Sequence, residues 1–467
     1  MRSDLPTLVS GDFNGDGVAD ILLGARFGDG PDNSRQDAGE AYVVFGSEEL
    51  DAAVDVGQGE QDVSLWGAAP GDNLGFSAAA ADLNADGIAD IAVGAPFAAA
   101  DGAVYVFFGG PDLPGQVDLS SSPPDVLLEG PGPGSFFGDS LASGDVNGDG
   151  MADLIVGATF AASPQGAGGG AGSQTGAVYA ISGGSDWPAT VRVARGEYDL
   201  AVYGAEALDE LGDTVASGDI NGDGTDDVLM TAEAADGPAN ARDVGAEVYA
   251  VFGGAALEGD RFVARGEQDL TVLGAEAQDT LGFSLAAGDF TGDGIDDLAM
   301  GARLDDGPGN QRDETGAVYV LVGSRSLPGE VDLAQNPAGV LTLYGADSGD
   351  QMAIANAGDI QEDGTPELLV GSGQGDGAGN QRGESGELYV LGAGALSSLA
   401  GPAAIDAVRA SAVVFGARPG DQLGTAAAVA DVNGDGRPEL LVMAADADSP
   451  EGERQDVGVV YVVSLAP

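Results

Sequence analysis

Asp145, Asn147, Asp149 and Asp153 place four oxygen-bearing side chains within nine residues, with Gly150 between the last two. The pattern occurs seven times, so the chemistry it serves is repeated round the molecule. The other sets are Asp12, Asn14, Asp16 and Asp20; Asp82, Asn84, Asp86 and Asp90; Asp219, Asn221, Asp223 and Asp227; Asp289, Thr291, Asp293 and Asp297; Asp359, Gln361, Asp363 and Glu367; and Asp431, Asn433, Asp435 and Glu439. Oxygens at positions 1, 3, 5 and 9 can converge on one cation if the position-6 glycine lets the chain turn sharply. The residue at position 7 then adds its backbone carbonyl: Val18, Ile88, Met151, Thr225, Ile295, Thr365 or Arg437. Hard oxygen donors on a flexible loop suit Ca²⁺, which accepts about six to eight ligands, better than Mg²⁺ with its strict octahedron. The expectation is up to seven calcium ions. The sixth loop should bind weakest, because it has two longer side chains and Pro366. A turn alone needs Asn-Gly or Asp-Gly but not acids at positions 1, 5 and 9 each time.

Composition narrows the chemistry further. The chain of 467 residues contains no Cys and no His, which removes disulfides, thiolate chemistry, and both the commonest general base and the usual zinc ligand. Its formal charge is −61, from 77 acidic and 16 basic residues, and every basic residue is Arg. Such a surface repels nucleic acid and anionic lipid and attracts cations. No apolar run is long enough to cross a bilayer, and residues 1–10 lack the plan of a signal peptide. No membrane insertion and no nucleic-acid partner are expected. With no nucleophile–base pair legible, catalysis is not expected either.

The loops must be held by a repeat. Their starts lie 70, 63, 74, 70, 70 and 72 residues apart, and apolar runs of four to six residues separate Gly, Asp and Pro clusters. In the second unit a small-residue strand, Phe76–Ala81, leads into the acidic loop. Strands follow at Ile91–Ala95, Ala103–Phe108 and Val126–Gly130. Four antiparallel strands per unit, seven times over, predict an all-β, seven-bladed propeller forming one domain over 1–467. The blades run approximately 1–67, 68–130, 131–204, 205–274, 275–345, 346–416 and 417–467. First strands such as Ser77–Ala81 are built of small residues, as the crowded axis demands, whereas Leu154–Val156 and Val318–Val322 carry bulk for the layers between blades. Outer strands are legible at Val63–Gly67, Val126–Gly130, Leu200–Gly204, Leu270–Gly274, Leu341–Gly345 and Ala412–Gly416. The seventh is missing, and the phase of the repeat places it before residue 1, so the closing strand and any export signal are expected outside this chain.

Leu74-Gly75-Phe76-Ser77, the loop Asp82–Asp90 and Ile91-Ala-Val-Gly-Ala-Pro96 resemble the FG-GAP repeat of integrin α-subunit propellers and their bacterial relatives. The resemblance covers nearly the whole chain. It implies a seven-bladed propeller with Ca²⁺ held by the loops between first and second strands. It also implies an extracellular adhesion or recognition module that binds protein or glycan through the opposite face. Two further readings accompany it: lectin-like sugar binding between blades, and an accessory propeller of a secreted lyase or hydrolase. Unlike integrins, which carry the calcium motif in only some blades, this chain has it in all seven.

A second repeated element lies between second and third strands, in loops carrying Arg35, Arg242, Arg312, Arg382 and, more loosely, Arg454. These guanidinium groups either offer bidentate donors to an acidic ligand or pin adjacent blades. Residues identical in most repeats favour the pinning role, with the connection acids Asp72, Asp209, Asp279, Asp350 and Asp421 or loop carbonyls as partners. Blades two and three depart from the pattern through the links Phe97–Gly102 and Ala161–Gly176, and are expected to face the ligand.

Overall fold

A computed structural model describes residues 6–465 except 51–52, 165–171, 238–241, 243, 378, 400, 450–453 and 456. The inner strands are Thr7–Gly11, Ala78–Ala81, Phe137–Gly144, Leu211–Gly218, Leu281–Gly288, Ala353–Gly358 and Leu423–Ala430. Each turns through an acidic loop into a second strand: Asp20–Ala25, Asp90–Ala95, Asp153–Ala158, Asp227–Ala232, Asp297–Ala302, Glu367–Ser372 and Glu439–Ala444. Third strands follow at Glu40–Val44, Ala103–Phe107, Ala177–Ile181, Glu247–Val251, Ala317–Leu321, Glu387–Leu391 and Val459–Val463. All are antiparallel, giving seven sheets round one axis and a seven-bladed, all-β propeller. The expected outer strands form at Val63–Trp66, Val126–Glu129, Leu200–Tyr203, Leu270–Leu273, Val340–Tyr344 and Ala412–Phe415. Blade seven has three strands. Residues 1–5, 466 and 467 lie outside the described residues, as does most of the Gly-rich part of the Ala161–Gly176 link.

The sheets depart from the four-strand expectation in one respect. Five of them gain a fifth, parallel strand lent by the following blade: Gln116–Asp118, Thr190–Arg192, Gly259–Phe262, Glu330–Asp332 and Ala403–Ala404. Each lies in the link between that blade's third and outer strands, and pairs beside its predecessor's outer strand, as Leu65 with Val117 and Val272 with Val331. The lent strand covers an edge that would otherwise offer unpaired backbone to any passing chain. It also buries an apolar anchor, Val117, Val191, Phe262 or Val331.

Apolar layers between blades hold the ring. Ile155, Val178, Ala180 and Val202 of blade three pack with Val228, Met230, Tyr249 and Val251 of blade four. Two glycines of the repeat meet across four of these seams, Gly24 with Gly75, Gly94 with Gly138, Gly157 with Gly212 and Gly371 with Gly424. A methyl group on Gly157 would lie 2.1 Å from the carbonyl oxygen of Gly212, and one on Gly371 would lie 1.9 Å from that of Gly424. The backbones approach too closely there for any side chain to point inward. Blade four has Thr231 at the equivalent place, and its hydroxyl donates to the Gly282 carbonyl at 3.1 Å.

Candidate metal centres and the opposite face

Each acidic loop is wound round its first carboxylate. Asp12 accepts from the backbone N–H groups of Gly15, Asp16 and Gly17 at 2.8, 3.1 and 2.9 Å. Asp82, Asp145, Asp219, Asp289, Asp359 and Asp431 take the N–H groups at positions 5 and 6 in the same way. The position-6 glycine makes this possible by adopting φ between 84° and 95° in all seven loops. At position 5, Asp16, Asp86, Asp149, Asp223, Asp293, Asp363 and Asp435 accept from the N–H at position 7, that is from Val18, Ile88, Met151, Thr225, Ile295, Thr365 and Arg437.

Position 9 is different in kind. Asp20, Asp90, Asp153, Asp227, Asp297, Glu367 and Glu439 are all buried, at the start of the second strand. Asp20 accepts from Phe13 and Asn14 on one oxygen and from Gly46, beyond the third strand, on the other at 2.9 Å. This carboxylate therefore ties the loop to the body of the blade. Burial pushes Asp20, Asp90, Asp153 and Asp297 up to about 6 and Asp227 up to about 7, against the lowering effect of those backbone donors. Burial also raises Glu367.

The position-3 side chains bridge the rest. Asn14 and Asn84 donate to the position-5 carboxylates at 3.1 and 3.0 Å. Asn147, Asn221 and Asn433 donate instead to position 9, at 3.1, 2.8 and 2.7 Å. Thr291 reaches Asp297 at 3.5 Å, and Gln361 bonds Glu367 closely. Each loop thus brings its predicted residues together, but as a self-bonded turn. Among the described residues, no three Asp, Glu, His or Cys side chains gather as a ready-made ion cage.

The donor set still fits a hard cation. A carboxylate offers about four lone-pair directions, and the position-1 groups spend only two or three of them on loop N–H groups. Turning over the position-3 amide would present its oxygen in place of its nitrogen.

The loops are also laced to one another, which the sequence reading missed. The position-8 N–H of one blade donates to the position-1 carbonyl of the blade before: Ala19 to Asp431, Ala89 to Asp12, Asp226 to Asp145 and Asp296 to Asp219, at 3.0 to 3.3 Å. In blades four and five the position-8 side chain adds a bond, Asp226 accepting from Asp145 N–H and Asp296 from Asp219 N–H, at 3.0 and 3.1 Å. The signal was present as the doublets Asp226-Asp227 and Asp296-Asp297.

On the opposite face the repeated arginines pin blades. Arg35 donates to the Ala68 carbonyl at 3.3 Å and to Asp118 at 2.7 Å. Arg242 donates to the Gly274 carbonyl at 2.6 Å and pairs with Asp332 at 2.9 Å. Asp118 and Asp332 both sit on lent fifth strands, so each guanidinium clamps its own outer strand and its neighbour's extension. Arg454 pairs with Asp55 of blade one across the seam of the ring. Arg312 and Arg382 bond the carbonyls of Gly345 and Ala346, and of Gly416 and Ala417. Their acidic partners are therefore not the connection acids, which serve elsewhere: Asp72, Asp209, Asp350 and Asp421 each accept from a backbone N–H three residues earlier. The irregular blades instead display a run of phenylalanines. Phe76, Phe97, Phe136 and Phe160 follow one another with ring centres 6.3, 4.8 and 5.0 Å apart.

Seven sheets with an acidic loop below each second strand define a repeat propeller, and comparison with known proteins specifies which kind. The FG-GAP repeat model matches residues 6–44, 74–107, 137–181, 281–321 and 423–463, in blades one, two, three, five and seven. The chain is 33% identical over 214 residues to bovine phosphatidylinositol-glycan-specific phospholipase D, covering 42% of this chain and 24% of that one. It is 38% identical over 157 residues to Xenopus laevis integrin alpha-5, covering 32% of this chain and 14% of that one. Mouse integrin alpha-3 is 44% identical over 104 residues, 21% of this chain and 9% of that one. The matched stretch therefore spans a quarter or less of each relative. The chain is an integrin-α-like FG-GAP β-propeller.

Proposed function

We propose that this propeller is a calcium-stabilised extracellular recognition module that binds a protein or glycan through the face opposite its acidic loops. The observation that carries the reading is the contrast between seven near-identical loops on one face and irregular links on the other. In each loop the side chains at positions 1, 3, 5 and 9 and the position-7 carbonyl would hold Ca²⁺. The ion would supply positive charge to a rim where Asp12 and Asp16, and their counterparts, otherwise meet neutral hydrogen-bond donors of their own loops. Because the loops are laced across four of the seven seams, loading would stiffen those blades together. Relationship to integrin α-subunits supports recognition and an extracellular setting.

Melting the protein with calcium and with a chelator tests the metal. An ion at about a hundred times its Kd stabilises by about 2.7 kcal/mol per site, so calcium should raise the melting temperature markedly. Equal curves would remove calcium from the reading. Recognition is tested by screening the calcium-loaded protein against extracellular proteins and glycans. Variants in the Phe97–Phe160 strip should then lose whatever is captured, with unchanged melting.

A second reading has its own support. The match to phosphatidylinositol-glycan-specific phospholipase D makes an accessory propeller of a secreted hydrolase the alternative role. Phospholipase activity in the purified chain, or in a longer protein that contains it, would favour that role.

A further inference from the structure

Five of the seven loops carry asparagine at position 3, and in four of them glycine follows: Asn14-Gly15, Asn147-Gly148, Asn221-Gly222 and Asn433-Gly434. Asparagine is thermolabile, because the backbone nitrogen of the next residue can attack its side-chain carbonyl carbon. Glycine leaves that approach unhindered, whereas Ala85 puts a methyl group in the way after Asn84. All four pairs stand in the same local sequence, Asn-Gly-Asp-Gly, so local sequence gives them equal reactivity. The fold divides them.

The dividing feature is the N–H of the glycine. That of Gly15 donates to Asp12 at 2.8 Å and that of Gly148 to Asp145 at 2.8 Å. A carboxylate on the N–H fixes the direction of the nitrogen and opposes the negative charge it must gain to attack. In loops four and seven the first carboxylate takes only the N–H groups of positions 5 and 6, Asp219 from Asp223 and Gly224 and Asp431 from Asp435 and Gly436. The N–H groups of Gly222 and Gly434 meet no acceptor among the described residues. Both pairs are half-buried, within reach of water.

We propose that Asn221 and Asn433 are sites of self-modification, at which the folded protein loses side-chain ammonia while Asn14 and Asn147 are spared. The glycine nitrogen gives its proton to solvent and bonds the asparagine side-chain carbon. The bond from that carbon to the side-chain nitrogen breaks, and the nitrogen departs as ammonia with a proton from solvent. Water then opens the cyclic imide at either carbonyl, leaving aspartate or isoaspartate. Overall one water is consumed and one ammonia released, with no oxidant or reductant. The product changes the loop, because Asn221 donates to Asp227 at 2.8 Å and Asn433 to Glu439 at 2.7 Å through the nitrogen that is lost. A carboxylate in its place sets like charges against each other at the root of the second strand, which loosens blades four and seven.

Peptide mapping by mass spectrometry tests this on the whole chain, aged in mildly alkaline buffer with chelator. Asn221 and Asn433 should convert about tenfold or more faster than Asn14 and Asn147. The same chain aged in denaturant should convert all four at similar rates, since the contrast belongs to the fold. Asp12→Ala should raise the rate at Asn14 towards that at Asn433 and leave Asn147 slow, which a globally unfolded chain would not. The proposal is overturned if the four convert alike in the folded protein, if the ranking persists in denaturant, or if Asn14 stays slow without Asp12. Asn221→Asp and Asn433→Asp, which make the product directly, should each melt earlier than the parent chain in chelator. Equal melting would overturn the loosening of the blades. Calcium is absent from every arm, so these results stand apart from the calcium reading.

Discussion

The two faces of the ring follow opposite rules. On the acidic face, each side chain of the motif serves the blade that carries it, so seven loops converge on one hydrogen-bonded turn despite Thr291, Gln361, Glu367 and Glu439 replacing the common residues. On the other face the links differ in length and content, and what repeats is the arginine clamps and the connection acids Asp72, Asp209, Asp350 and Asp421. Regularity marks what the ring needs in order to close. Departure from it marks where the surface is released for other uses, as at the phenylalanine strip.

That contrast can be broken most forcefully at position 9. Asp153→Ala removes the acceptor for Val146, Asn147 and Gly183 N–H groups in a buried setting. It should cost about 3 kcal/mol or more in chelator, whereas Asp149→Ala at the exposed rim should cost under about 1 kcal/mol there and act through calcium affinity. Denaturant titration with and without calcium separates the two, and equal losses would erase the distinction within the loop. Next in size is Arg312→Ala, which frees the Gly345 and Ala346 carbonyls. It should lose about 1–2 kcal/mol of stability and leave partner capture intact. Lost capture at full stability would return the link arginines to ligand binding.

A pH effect of about 1–2 kcal/mol is expected on the same face. Burial pushes Asp279 up to about 7, with Asp305, Glu276 and Asp306 adding repulsion. Because the folded protein holds this proton more tightly than the unfolded chain, the charged form burdens folding most above pH 7. The burden shrinks as pH falls from 7 towards 4. Asp279→Asn should therefore raise the melting temperature at pH 8 and leave it nearly unchanged at pH 4. A gain independent of pH would mean that charge is not the cause. The smallest effect belongs to Ala85, at position 4 of the second loop with φ of 61°, where five other loops have glycine. Ala85→Gly should stabilise by about 0.5–1 kcal/mol, measured by denaturant titration.

Much of this was legible in the chain. The period of the acidic motif, the small inner strands and the six outer strands all follow from local rules: a tapering axis, a turn needing glycine, alternating apolar runs. The lent fifth strands escaped because a three-residue strand such as Gln116–Asp118 has no periodicity to read. Their trace was the recurring Val117-Asp-Leu119 and Val331-Asp-Leu333 ahead of an outer strand. The burial of position 9 also escaped, since spacing alone treats all four donor positions as equivalent. It is the fold that places one of them at the root of a strand.

The lent strand also means that the structural module and the repeat in the sequence are out of step. Each of the first five blades is finished by residues that lie after its own outer strand, within the next unit, so its outer edge depends on its successor. Excising one of units two to six would take with it the strand that covers the edge of the blade before it. A blade could be duplicated cleanly only by copying across that overlap, which makes the ring a directional chain of dependencies with an order in which it can be assembled or lost.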